Sequence, residues 1–254
     1  MNKAVLINWL RIEDSVNIQI PNEIFKDFDK ADFKSFQHKC FGYAYYYLAT
    51  YLYRNTLFGN SDIEKYSQQK IVELFVSNNT IVSYITKKNG LLDSIRYTKT
   101  TNNYPTSFYV NNGLLEFSYV NDLKERIPDY TVKHSPRFFV KEPVKALVRF
   151  DNEDFTGTFY SFQNTHRIDI KTFIDIISDK QLGHVGLYIY GYLSMMCDKF
   201  PLGYQISNQR FGEIIGCSDR TITKYTTQLE KEGLIKSERK LLGYKLLEKI
   251  YRVT

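Results

Sequence analysis

Between Ser218 and Gly233 the chain reads Ser-Asp-Arg-Thr-Ile-Thr-Lys-Tyr-Thr-Thr-Gln-Leu-Glu-Lys-Glu-Gly. Ile222, Tyr225 and Leu229 recur at intervals of three and four, the period of one helix face, and are expected to point inward. That assignment leaves Arg220, Thr221, Thr223, Lys224, Thr227, Gln228 and Lys231 on the outer face. Arginine can donate two parallel hydrogen bonds to guanine O6 and N7, so Arg220, near the helix start, is the best candidate for a base contact. Gln228 can pair with adenine, although it lies far along the helix; Thr221, Thr223 and Thr227 suit phosphate oxygens or a thymine methyl. Lys224 and Lys231 suit phosphates, as do Lys236, Arg239 and Lys240 beyond the helix. The competing reading is a solvated surface, and for the three residues beyond the helix the two readings are level.

Local signals place these side chains. Ser207 is expected to cap a short helix with Phe211, Ile214 and Ile215 on its inner stripe, and Ser218 to cap the longer one. Gly216-Cys217 forms the turn between them, and Gly233 ends the second helix before Leu234-Ile235 opens a basic strand. Upstream, Val185–Lys199 reads as a helix broken by Pro201-Leu202-Gly203. This order, with Arg220-Thr221-Ile222, Tyr225, Leu229 and Gly233-Leu234-Ile235 at these spacings, resembles the winged helix-turn-helix superfamily. The resemblance covers residues 181–254 and implies that the longer helix enters the DNA major groove.

The other half of the chain carries a similar pattern. Phe41-Gly42-Tyr43-Ala44-Tyr45-Tyr46 aligns with Val185-Gly186-Leu187-Tyr188-Ile189-Tyr190 at one offset, which also carries Gly59 onto Gly203. Thr80-Ile81-Val82-Ser83-Tyr84 aligns with Thr221-Ile222-Thr223-Lys224-Tyr225 at nearly the same offset. A duplicated helix–helix–helix–hairpin order follows. Its helices are expected from Phe41 to Tyr53, from a Ser61 cap to Val76, and from an Asn78 or Asn79 cap to Lys88; its hairpin is expected from strands Leu91–Tyr97 and Thr106–Val110. A second DNA-binding set would be Asn79, Thr80, Ser83, Lys87 and Lys88 on the third helix, with Arg96 and Lys99 on the wing. It is less basic, and a dimer or partner surface stands level with DNA contact. The tyrosine-rich helix reads as core rather than as a base-stacking platform.

The expected fold class is α+β: two winged helix-turn-helix domains joined by an ordered β-containing connector. The N-terminal unit spans 1–113, with a further strand at Ala4–Leu10. The connector spans 114–180, with strands at Arg137–Val140, Lys145–Phe150 and Thr158–Phe162 and a helix at Lys171–Ser178. The C-terminal unit spans 181–254. Tandem winged helices are similar to plasmid replication initiators and phage replisome organisers.

Charge permits a polyanion partner without establishing one, and a basic surface kept for solubility accounts equally well for so modest an excess. The formal net charge is +6, and residues 181–254 hold eleven cations against seven anions, so most of the excess sits with that unit. No GxxxxGK[ST] is present for a P-loop. His38, His134, His166 and His184 are scattered, without the His-x-His of a metal-dependent nicking site. His38-x-Cys40 offers too few ligands for zinc. His166-Arg167 with Tyr251 lacks the second histidine and spaced arginine of a tyrosine recombinase. The chain is therefore expected to be no enzyme and to use no cofactor or metal. Cys40, Cys197 and Cys217 are far apart, without a CxxC pair, and are expected to be reduced thiols in a cytoplasmic protein. No signal layout or long apolar run suggests a membrane. Expected partners are double-stranded DNA, further copies of the chain as a dimer or other homo-oligomer, and replication proteins. Sequence-specific binding of duplex DNA, for replication or transcriptional control of a mobile genetic element, is the leading expectation. The alternative is a winged-helix interaction scaffold, such as a helicase-loading or phage assembly factor.

Overall fold

Asn17–Pro21 and Thr165–Asp169 pair as antiparallel strands, with Ile18 opposite Ile168 and Ile20 opposite His166. This ladder joins distant parts of the chain. The computed structural model describes every residue except 1, 60–62, 77–78, 112–113, 127–137, 148, 152–153, 158–162 and 243–244. In chain order its elements are α1 (Lys3–Leu10), β1 (Asn17–Pro21), α2 (Ile24–Lys30), α3 (Phe36–Arg54), α4 (Gln68–Glu73), α5 (Asn79–Thr86), α6 (Leu91–Ser94), β2 (Lys99–Thr101), β3 (Pro105–Asn111), β4 (Leu114–Tyr119), α7 (Val120–Arg126) and β5 (Val140–Glu142). They continue with α8 (Val144–Leu147), β6 (Arg149–Asp151), β7 (Asp154–Gly157), β8 (Thr165–Asp169), α9 (Ile170–Ser178), α10 (Gly183–Lys199), β9 (Tyr204–Ile206), α11 (Asn208–Ile215), α12 (Asp219–Lys231), β10 (Ile235–Leu242) and β11 (Lys245–Val253). The class is mixed α+β, with small sheets.

The chain divides differently from the expected boundaries. Met1–Ala44 and Asn164–Thr254 form one unit, and Tyr45–Gln163 forms the other. The expected cut at 113/114 falls at the β3–β4 hairpin, and the one at 180/181 separates α9 from α10 of the same unit. The β1–β8 ladder is the physical reason, because it carries the N-terminal segment onto the C-terminal elements.

In the first unit α10 is buried on all sides from Val185 to Met195. Phe25, Tyr188 and Tyr192 meet edge to face, and Tyr192 continues the cluster to Phe211 of α11. Gly191 lets this helix approach α3, since a Cβ there would overlap the Tyr43 hydroxyl. That hydroxyl bonds His166 Nε2 at 2.7 Å, while His166 Nδ1 faces the Asn22 Oδ1 oxygen at 2.9 Å. The ring thus fits a neutral form that donates from Nδ1 and accepts at Nε2. Ala4–Leu10, expected as a strand, is the helix α1. Asn2 caps it, and Leu6 and Leu10, one turn apart, are its buried residues. A short apolar run does not distinguish the two periods by itself.

Burial pushes the His166 pKa down to about 3. A depressed folded value means the stabilisation is complete above the unfolded value of about 6.5 and is lost as pH falls toward the folded one. Going from pH 7 to pH 5 is expected to cost this unit about 2 kcal/mol. Trp9, the single tryptophan, lies in α1 and reports the transition. An unchanged urea midpoint of Trp9 fluorescence at pH 5 would contradict the assignment.

In the second unit, the residues expected as strand Leu91–Tyr97 instead form α6 and a turn, because Asp93 is tied from several sides. It accepts hydrogen bonds from the Asn89 backbone, Thr98, Thr100 and Lys141. Lys141 also donates to the Lys87 carbonyl at 3.0 Å, so one ion pair pins the end of α5, α6, β2 and β5. Tyr97 is buried against Tyr46 of α3. Thr106–Val110 does lie in a strand, β3, but it pairs with β4, while β2 pairs with β5. Lys145–Phe150, expected as one strand, divides into α8 and β6. Arg137–Val140 corresponds to a strand only from Val140 on, in β5; Arg137, Ser61, Asn78 and Thr158–Phe162 lie outside the described residues. The helix expected to end at Val76 is a 3-10 turn at Ile63–Tyr66 followed by α4, capped by Ser67.

Candidate nucleic-acid interface

Caps and turns follow their sequence signals around α11 and α12. Ser207 accepts from the Arg210 amide and Ser218 from the Thr221 amide, each at 3.2 Å. Gly216 closes α11 with φ 83°, a left-handed value that glycine adopts without penalty. The turn has a second anchor. Lys39 of α3 is buried, and its ammonium donates to the Ile215 carbonyl at 2.7 Å and to Asp29. A cation at these last carbonyls complements the negative end of α11.

Ile222 and Leu229 are buried as expected, but the third inner residue of α12 is Thr226. Its hydroxyl donates to the Ile222 carbonyl at 2.9 Å, which satisfies the buried oxygen. Tyr225 stands half-exposed at the edge, with the Lys224 ammonium 5.1 Å from its ring centre. Tyr225 and Thr226 both fit the period of three and four, and the side chain whose hydroxyl can bond the preceding turn takes the buried place.

The outer face carries Arg220, Thr223, Lys224, Thr227 and Lys231, all exposed, with Thr221 and Gln228 half-exposed. Among the described residues neither Arg220 nor Lys224 forms an ion pair, whereas Arg210 of α11 is held by Glu213 at 3.0 Å. Thr221 shares its hydroxyl with the Ser218 cap, and Thr223 accepts from Asn208 at 2.9 Å. Gln228 differs from the rest. Its amide donates to Asp179 and Glu232 at 3.2 and 3.0 Å, so carboxylates occupy the donor that an adenine would need.

Beyond α12 the strands pair in the order β10-β11-β9. Lys236 and Arg239 are exposed on β10, and Lys240 continues that strand. Arg239 lies opposite Lys249 of β11, a like-charged pair that costs energy unless an anion offsets it. Lys249 escaped the sequence reading because pairing register is not visible locally. On the neighbouring positions, Glu238 and Arg252 neutralise each other at 2.8 Å.

The second candidate set is not assembled as expected. Asn79 opens α5, with Thr80 and Ser83 exposed along it. Lys87 and Lys88 are exposed after its end, and the Lys88 ammonium lies 5.4 Å from the Phe139 ring centre. Arg96 is an exposed turn residue and Lys99 opens β2, whose partner is β5. These two cations therefore do not share a hairpin following α5.

An open groove of about 600 Å³ runs beside the first turns of α12. Arg220, Thr221, Lys224 and Tyr225 line one side, and Ser35 and Gln37 at the start of α3 also line it. Its lining contains two cations and no carboxylate. Two other grooves of this unit, of about 520 and 280 Å³, include Asp169 and Asp198, and Asp175, Asp179 and Glu232, respectively. Among the described residues no three His, Cys, Asp or Glu side chains cluster as metal ligands, and no helix is long and apolar enough to cross a membrane. Cys40, Cys197 and Cys217 are free thiols. No family model, curated protein or solved structure matches the chain.

Proposed function

We propose that the chain is a sequence-specific double-stranded DNA-binding protein whose elements α10–β11 act as a winged helix-turn-helix, with α12 as the reading helix. One observation carries this reading: α12 is capped and packed on one face, and its other face offers Arg220 and Lys224 without ion-pair partners among the described residues. Two cations on the exposed face of one packed helix supply what base and phosphate contacts require. Arg220 reads a base; Lys224, Lys231, Lys236, Arg239 and Lys240 contact phosphates, and Lys249 joins them opposite Arg239. The role in the cell is replication initiation or transcriptional control of a mobile element.

The Tyr45–Gln163 unit is better suited to a partner than to a second reading helix. The hairpin that comes after its third helix, β3–β4, carries neither Arg96 nor Lys99, and Phe108, Tyr109 and Ile81 of this unit are exposed at 48%, 50% and 57%. Those apolar side chains favour the second reading, an interaction scaffold, for this unit.

Selection from a random-sequence duplex pool tests the proposal. The parent chain is expected to enrich one motif. Arg220→Ala is expected to weaken binding to it by about 1–3 kcal/mol and to relax one base position. An identical motif and affinity would remove Arg220 from the reading role, and no duplex binding by the parent would favour the scaffold.

A further inference from the structure

We propose that the groove between α12 and the first turn of α3 seats a strand of the DNA backbone, so that Ser35 and Gln37 form a second contact wall. This rests on the duplex-binding reading above and adds to it a part of the chain far from residues 181–254. The two walls come from opposite ends of one folded unit. Arg220 and Lys224 give the groove its charge, and the carboxylate nearest in sequence, Asp219, is not in the lining. The other large grooves described in this unit mix charges, Arg167 and Arg252 with Asp169 and Asp198 in one and Lys3 with Asp175, Asp179 and Glu232 in the other. Ser35 and Gln37 are both exposed and polar. A hydroxyl and a carboxamide are suited to neutral hydrogen bonds with phosphate oxygens, which position a duplex without adding sequence preference.

Charge substitutions at Gln37 separate this role from a structural one. Gln37 is the second residue of α3, where a carboxylate favours the helix through its dipole. Gln37→Glu should therefore keep or raise the melting temperature while weakening binding to a labelled random-sequence duplex several-fold. Gln37→Lys should tighten binding to the same duplex and steepen the slope of log affinity against log salt by about one. Ser35 also caps α3, accepting from the His38 amide at 3.2 Å; Ser35→Asp keeps such a cap, should act in the same direction as Gln37→Glu, and supplies the test if Gln37→Glu does not fold. Parent affinity and slope in all three variants, with Arg220→Ala still impaired on its selected motif, would overturn the second wall and leave the reading helix standing. Equal weakening by the acidic and basic variants would also overturn it. A parent chain that binds no duplex overturns both proposals.

Discussion

Asp93→Ala is expected to cost about 3–5 kcal/mol, enough to unfold much of the Tyr45–Gln163 unit. The reason is the charge left behind. The Lys141 side chain is only 3% exposed, and Asp93 is its partner at 2.8 Å. Burial alone holds the Lys141 ammonium below its usual pKa even with that carboxylate beside it, so the pair itself is no large net gain. Removing one member is what is costly, because a buried ammonium then lacks its counter-charge. The Asp93→Ala/Lys141→Met double variant is expected to recover the part of the loss due to the unpaired charge, while the Asn89, Thr98 and Thr100 donors remain without that acceptor. Hydrogen exchange over residues 45–163 and the urea midpoint would measure the difference. Parent-like protection in the single variant would rule out this account. The pair also has a pH signature. Burial works against the Asp93 carboxylate, but hydrogen bonds from Lys141, Thr98 and Thr100 outweigh it and hold its pKa below the usual value. Its contribution is therefore present above the unfolded pKa of about 3.9 and disappears as pH falls through the lower folded value.

The features legible in the sequence are those specified within a few residues. Ser207, Gly216, Ser218 and Gly233 each act on their own turn, and α11 and α12 begin and end at them. The aligned segments of the two halves fall on helices in the same order, α3 and α10, then α5 and α12. The alignment did not carry over to the hairpin, because Asp93 and Lys141 bind the residues after α5 into another arrangement. The β1–β8 ladder was equally hidden, since strand pairing across most of the chain leaves no local mark. The same holds for the candidate site. The outer face of α12 was readable from its period, while Lys249 depends on strand register and Ser35 and Gln37 on the packing of α3. Thr226 shows where periodicity reaches its limit: it marks a face, and the edge of that face is decided by whether a hydroxyl can bond the preceding turn.

Raising salt from about 50 to about 200 mM is expected to weaken duplex binding by roughly 500-fold if about five phosphates are neutralised. Lys224, Lys231, Lys236, Arg239 and Lys240 are the cations that this slope counts, with Arg239 and Lys249, which face each other across the hairpin, counted together as one phosphate. Each neutralised phosphate releases condensed counterions, and the entropy of that release shrinks as bulk salt rises. The effect should be nearly the same on selected and random duplexes, because phosphates are common to both. Arg220→Ala should then act differently from Lys236→Ala: the first narrows the gap between selected and random duplexes, the second flattens the salt slope by about one on both. A shallow slope for the parent would remove the phosphate role of the β10 cations, and with it the reason to regard the β10–β11 hairpin as a DNA-contacting wing. The like-charged pair of Arg239 and Lys249 gives the hairpin its own test. Bound phosphate should relieve that repulsion, so Lys249→Gln should raise the stability of the free chain and lower its affinity for duplex. Purely structural cations would have no reason to move those two quantities in opposite directions.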